Sequence, residues 1–142
     1  AQLAGADPTM ITHLERIGTS LGVSFQLVDD DLGVFGDPAI TGKSVLSDLR
    51  AGKRTELMRL AFHLADESQR AALAASVGNP ALGDAGADRV REILVETGAR
   101  SRALKVAAQH ARIARRTAYE RVPAPLSTYL VELIDSLEER TS

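Results

Sequence analysis

The sequence predicts an all-α fold, and three observations predict it. The 142 residues hold 22 alanines against only five aromatic residues, a balance suited to helices in close contact. Apolar residues recur at three- and four-residue steps, while β-branched runs with period-two alternation are hard to find. Proline and glycine cluster between the periodic stretches, where helices have to stop.

Each element follows in chain order. Asp7 and Pro8 open a first helix: a capping carboxylate, then a proline where no N–H is needed. Ile11, Leu14, Ile17, Leu21, Phe25, Val28, Leu32 and Phe35 continue one apolar face until Gly36-Asp37-Pro38 ends it. Residues 36–52 read as a polar, irregular loop, long for a connection between helices and so a candidate for function. A second helix is expected over Thr55–Leu64, with Leu57, Leu60, Ala61 and Leu64 facing inward. A third covers Glu67–Val77 and is broken by Gly78-Asn79-Pro80. Ala87–Glu96 follows, closed by Thr97-Gly98, and Ala99–Val122 runs to Pro123 and Pro125. A last helix carries Leu126, Leu130, Leu133, Ile134 and Leu137 into a polar tail. There is no internal repeat and no composition shift that marks a domain boundary. The chain opens at Ala1 and its first methionine is Met10, which reads as a portion of something longer.

Composition narrows the function. Seventeen basic against nineteen acidic residues, net charge −2, rule out a generally polyanion-seeking chain. With no cysteine, disulfides, thiol nucleophiles and cysteine-bound metals are excluded. No apolar run approaches the roughly 18 residues of a membrane span, and no signal segment opens the chain, so a cytoplasmic protein is expected. The Ala99–Val122 helix carries Arg100, Arg102, Lys105, Arg112, Arg115, Arg116 and Arg121 against Glu120 alone. Ala103, Ala107, Ala111, Ala114 and Ala118 form a separate stripe on it. No aromatic residue interleaves for base stacking, so this reads as a solvated face; a nucleic-acid-binding helix is the weakest of the readings. His13, His63 and His110 show no paired metal spacing, and Tyr119 and Tyr129 are expected to pack.

The informative run is Phe25-Gln26-Leu27-Val28-Asp29-Asp30-Asp31-Leu32-Gly33. On a helix at ~100° per residue, Gln26, Asp29, Asp30 and Gly33 share one stripe, beside the apolar arc, and Asp31 points elsewhere. Neighbouring carboxylates on one wall repel, and a hard divalent cation relieves that cost; oxygen ligands with retained water suit Mg²⁺. A diphosphate bridged by the cation is the natural guest. The alternative is a solvated acidic surface. Gly18 and Gly22 leave a trough above Gln26, for a ligand or a neighbouring helix. Lys43, Asp48, Lys53 and Arg54 follow in a loop whose glycines allow tight turns, offering compact positive charge to phosphate oxygens.

The run FQLVDDDLGVFGDPAITGKSVLSDLRAGKRT resembles the second aspartate-rich region of the trans-polyprenyl diphosphate synthases, the family of farnesyl and geranylgeranyl diphosphate synthases. The matching elements are Phe25-Gln26, Asp29-Asp30, Gly36-Asp37, Thr41-Gly42-Lys43, Ser47-Asp48-Leu49 and Gly52-Lys53-Arg54-Thr55. The resemblance implies the all-helical isoprenoid synthase bundle, of which residues 1–142 are the C-terminal portion. It implies condensation of an allylic diphosphate with isopentenyl diphosphate, three Mg²⁺ ions between two facing aspartate-rich motifs, and a homodimer. Carried onto this chain, Asp29 is the principal ligand of one Mg²⁺, Asp30 supports it, and Gln26 hydrogen-bonds near the reacting centre. Lys43 and Lys53 contact diphosphate, and Asp48 sits in the outer metal shell. The family's motif usually reads Asp-Asp-x-x-Asp; here the fifth position is Gly33, and Asp31 stands where the residue is often apolar. The first aspartate-rich motif is not within these residues. The pattern leans toward a geranylgeranyl-type synthase, with a catalytically incompetent interaction subunit as the alternative.

Overall fold

The computed structural model describes residue 5, residues 7–36 and residues 45–139. The described residues form helices α1 (Pro8–Phe35), α2 (Val45–Arg50), α3 (Glu56–Leu64), α4 (Glu67–Ser76), α5 (Asp84–Glu96), α6 (Ala99–Arg121) and α7 (Leu126–Glu139). No strand occurs among them, as the all-α reading requires. None of these helices is long and apolar enough to cross a membrane.

Local chemistry sets three of the helix starts. Asp7 Oδ1 accepts from the backbone N–H groups of Thr9 and Met10 at 2.9 and 3.1 Å, satisfying donors that the first turn of α1 leaves open. Thr55 caps α3 by accepting from the Met58 N–H at 3.2 Å. Asp66 and Gln69 form a reciprocal capping box at the head of α4. Between α5 and α6 the chain turns through Gly98 at φ 73°, a conformation that favours glycine.

Two compact units follow from the packing. The first comprises residues 1–26 and 106–142, and its core is Ile17, Ala114, Ala118, Val122 and Ile134, flanked by Met10, Leu14, Leu21, Leu130 and Val131. The alanine stripe of α6 is buried throughout, which lets neighbouring backbones approach closely. Its arginine-rich face is exposed at Arg102, Lys105, Arg112 and Arg116, as expected of a solvated face. The second unit, residues 27–105, has α5 at its centre, packed against α2, α3 and α4. Leu57, Leu73, Val90, Ile93 and Leu94 are its largest fully buried side chains.

Three expectations need correction. Residues 36–52 are not irregular throughout: Val45–Arg50 is a short helix, anchored by Leu49, which is buried. The Arg50 guanidinium locks its end by donating to the Leu82 carbonyl at 2.9 and 2.6 Å. Next, the predicted apolar face of α1 holds at Ile17, which is buried, but over residues 25–35 it is not the most buried one. Phe25 is 51% exposed, while Leu27, Val34, Asp30 and Asp31 are buried. Helical-wheel arithmetic sorts residues by polarity, and an aspartate with a partner can take an inward place. Finally, Tyr119 and Tyr129 do not pack; both are strongly exposed.

The turn after α2 depends on two glycines. Gly52 (φ 63°) lies against Gly78 (φ 81°), where a β-carbon on Gly52 would stand 3.1 Å from the Gly78 Cα. The Gly78 N–H donates to the Leu49 carbonyl at 2.8 Å, which ties the end of α4 to α2. That contact fixes the stretch from Asp48 to Lys53.

Replacing Leu57, fully buried in the second unit, tests this packing. Leu57→Ala is expected to lower unfolding free energy by about 2–5 kcal/mol in urea denaturation. A loss under about 0.5 kcal/mol, the level of a surface change, would contradict the assignment of the core.

Candidate functional site

Asp29, Asp30 and Asp31 sit near the C-terminal end of α1. That is the negative end of the helix dipole, and no basic residue occupies the last turn. Three carboxylates there repel both the dipole and one another, so cations must come from elsewhere in the chain.

They come from three places. Arg100, in the first turn of α6, makes a two-pronged pair with Asp31: Nε to Oδ1 at 2.8 Å and the terminal nitrogen to Oδ2 at 3.0 Å. The same guanidinium lies over the Phe35 ring, 3.8 Å from its centroid. Arg91 of α5 donates from Nε to the Val34 carbonyl at 2.8 Å, filling an acceptor that the end of α1 leaves open, and pairs with Asp88 at 2.5 Å. Lys53, just after α2, places Nζ 2.7 Å from Asp48 Oδ1.

Lys53 is where the candidate site comes together. Its ammonium is held above the ordinary lysine range, first by the hydrogen bond to Asp48 and then by the charges of Asp48, Asp29 and Asp30. Asp29 is exposed, Asp30 is buried, and Asp48 and Lys53 are partly open to water. The structure thus brings together Asp29, Asp30, Asp48 and Lys53. Gln26 is an exposed residue of α1 in the first unit, and Lys43 lies outside the described residues. At Gly18 and Gly22 a β-carbon would meet nothing within 4 Å, so no described helix packs over the trough there.

Gly33 has a specific neighbour. A β-carbon at this position would stand 2.9 Å from Asp48 Oδ2, so the carboxylate of α2 fills the space that a side chain at residue 33 needs. The missing fifth carboxylate of the motif and the presence of Asp48 are therefore one packing fact.

The donor set suits a hard cation only in part. Among the described residues no three His, Asp or Glu side chains converge to hold a metal. Asp29 and Asp30 offer carboxylate oxygens beside a fixed ammonium. Mg²⁺ commonly takes one or two carboxylates and completes its shell with water and phosphate oxygens, and this arrangement meets that need.

Sequence reasoning missed Arg100 and Arg91. Arg100 had a signal: a cation in the first turn of a helix opposes the dipole, and on the wheel it lies away from Arg102, Lys105, Arg112 and Arg116. Arg91, within an ordinary amphipathic helix, had none. The first unit also carries a cleft of about 260 Å³ on the basic side of α6, lined by His13, Arg16, Arg116, Thr117, Glu120 and Arg121.

Comparison with known proteins shows what this chain is similar to. A sequence model of the polyprenyl synthetase family matches residues 1–97. Geranylgeranyl diphosphate synthase of Saccharolobus solfataricus is 36% identical over 89 residues, 63% of this chain and 27% of that protein. Geranylgeranyl diphosphate synthase of Mycobacterium tuberculosis is 51% identical over 55 residues, 39% of this chain and 16% of its own length. The crystal structure of geranylgeranyl pyrophosphate synthase from Corynebacterium glutamicum, complexed with isoprenyl diphosphate and magnesium, superposes with a TM-score of 0.87 at 34% identity. That match covers 96% of this chain and 39% of the Corynebacterium chain. The chain therefore spans between a sixth and two-fifths of the length of these relatives.

The pairing of Lys53 with Asp48 has a titration signature. Its raised value means that, wherever Asp48 is ionised, the pair contributes stability below ordinary lysine titration, lost as pH rises through the raised value. In Asp48→Asn, NMR titration of the Lys53 side chain should fall back toward the ordinary lysine value. Gly33→Ala should move it in the same direction, because the new methyl displaces the Asp48 carboxylate. An unchanged Lys53 titration in both variants would contradict this geometry.

Proposed function

The chain belongs to the polyprenyl synthetase family, and from that premise we propose that residues 1–142 supply the second aspartate-rich wall of a trans-polyprenyl diphosphate synthase. The observation that carries the proposal is the Lys53 ammonium, fixed by Asp48 within the field of Asp29 and Asp30. A site with carboxylates and a held cation side by side suits a polyanion that arrives with its own metal.

In the proposed reaction an allylic diphosphate loses its diphosphate, the isopentenyl double bond attacks the resulting allylic cation, and a proton leaves to the departing diphosphate. Asp29 is the principal carboxylate of this wall and Asp30 supports it. Lys53 and Lys43 hold diphosphate oxygens, and Gln26 hydrogen-bonds near the reacting centre. Asp48 keeps the Lys53 ammonium in place and stands in the outer shell. Asp29 and Asp30 would hold Mg²⁺, three ions being expected in the complete site, and when bound it would supply positive charge that stabilises the diphosphate as a leaving group. The names of the relatives support a geranylgeranyl-type product, and they favour a synthase over a catalytically incompetent subunit.

The exposed faces fit a larger assembly. Leu126, Tyr129 and Leu133 lie on one side of α7 and are 42%, 65% and 50% exposed. An apolar stripe of this kind suits a protein partner. We propose a homodimer because the family resemblance implies one, and this stripe is compatible with it.

The test joins this chain to an amino-terminal synthase half that carries an Asp-Asp-x-x-Asp motif, such as that of the Corynebacterium enzyme. Mg²⁺-dependent incorporation of labelled isopentenyl diphosphate into longer prenyl diphosphates is expected. Asp29→Ala should reduce it by about a hundredfold or more. A folded chimera that is inactive, or that keeps near-normal turnover without Asp29, would contradict the proposal.

A further inference from the structure

We propose that Arg100 is a positioning residue: its two-pronged pair with Asp31, roofed by Phe35, pins the carboxylate-bearing turn of α1 and withholds the Asp31 charge from the metal-facing pair Asp29 and Asp30. The inference rests on the function proposed above and concerns how this chain presents that wall.

Burial separates Asp31 from Asp29, while Asp30 is buried as well. Asp31 is buried, and both of its oxygens are engaged by one guanidinium at 2.8 and 3.0 Å. A planar guanidinium held by two parallel bonds and stacked on a ring has one orientation, which a lysine cannot reproduce. Asp29, by contrast, is exposed. The wheel angles place Asp31 roughly 100° from Asp30, so engaging it from that side leaves its neighbours turned toward Lys53.

The location of Arg100 argues that the pair is specific. A cation in the first turn of α6 opposes the helix dipole, and a carboxylate near the end of α1 does the same. Each residue is poorly placed by itself and well placed only against the other. Removing Arg100 leaves a buried carboxylate unpaired beside two more, the kind of change that costs far more than the pair contributes. Nearby, Arg91 holds the Val34 carbonyl, so two arginines from successive helices grip the end of α1.

The Arg100–Asp31 pair bears on the aspartate that stands where the family's residue is often apolar. A third consecutive aspartate would be a competing ligand for the cation if it were free. Paired to Arg100, it becomes a tether.

The experiment measures hydrogen exchange of the 142-residue chain, together with Mn²⁺ uptake in the presence of inorganic pyrophosphate. Arg100→Met should speed exchange at amides 29–35 by about tenfold relative to those of α3, and weaken Mn²⁺ uptake by a similar factor. Arg100→Lys, which keeps the charge and the fold, should give an intermediate effect on both. Asp31→Leu combined with Arg100→Met removes the stranded carboxylate but also the tether, so exchange at 29–35 should stay faster than in the unsubstituted chain; a full return would overturn the pinning. Unchanged exchange at 29–35 in Arg100→Met and Arg100→Lys would overturn the pinning, whatever the chain binds. Faster exchange with unchanged Mn²⁺ uptake would overturn the positioning role and leave a structural tether. If the unsubstituted chain takes up no Mn²⁺ with pyrophosphate, the positioning role fails, whereas the proposed function stands or falls with the chimera.

Discussion

Three carboxylates at the negative end of one helix are the constraint on which the second unit is built. Asp29, Asp30 and Asp31 follow one another where the α1 dipole already disfavours negative charge. The fold answers with cations from three separate elements: Arg91 from α5, Arg100 from α6 and Lys53 from the turn after α2. Much of the packing around them can be read as the means of delivery. Gly52 and Gly78 allow the α2 turn to approach α4, which sets Lys53, and Gly98 turns the chain so that α6 begins with Arg100 near its partner.

The cations divide the work. The arginines are committed to groups within the protein, Arg91 to a carbonyl and Arg100 to Asp31 and the Phe35 face. Lys53 is shared, paired with Asp48 yet half-exposed and within reach of the field of Asp29 and Asp30. A shared, accessible ammonium beside an exposed carboxylate is a surface that can take up a metal-bound polyanion without first breaking the fold. That distinction between committed and available charge, more than the count of aspartates, makes this end of α1 a candidate site.

Much of the fold was legible in the sequence, for physical reasons. Asp7-Pro8, Thr55, and Asp66 with Gln69 are local capping signals whose chemistry is complete within a few residues, so the helix starts were readable. The alanine stripe of α6 was readable because its period is that of the helix. The short helix α2 was not, because six residues are too few for a period and its anchors, Leu82 and Gly78, are distant in sequence. The inward face of α1 was misjudged for a related reason: Asp31 is buried only because a residue 69 positions away neutralises it. Asp29, Asp30, Asp48 and Lys53 were all named from their spacing. What the spacing did not give was the reciprocal fit of Gly33 and Asp48, which is a matter of ångströms between two helices.

The central claim is that Asp29 and Asp30 face a metal-bound diphosphate while Asp31 does not. Paramagnetic broadening in NMR spectra of the chain, with Mn²⁺ and pyrophosphate added together, tests it most directly. The account predicts that side-chain signals of Asp29, Asp30 and Lys53 broaden at the lowest Mn²⁺ levels, while those of Arg100 survive. Equal broadening at Arg100 and Lys53, or broadening confined to other acidic residues of the chain, would contradict it.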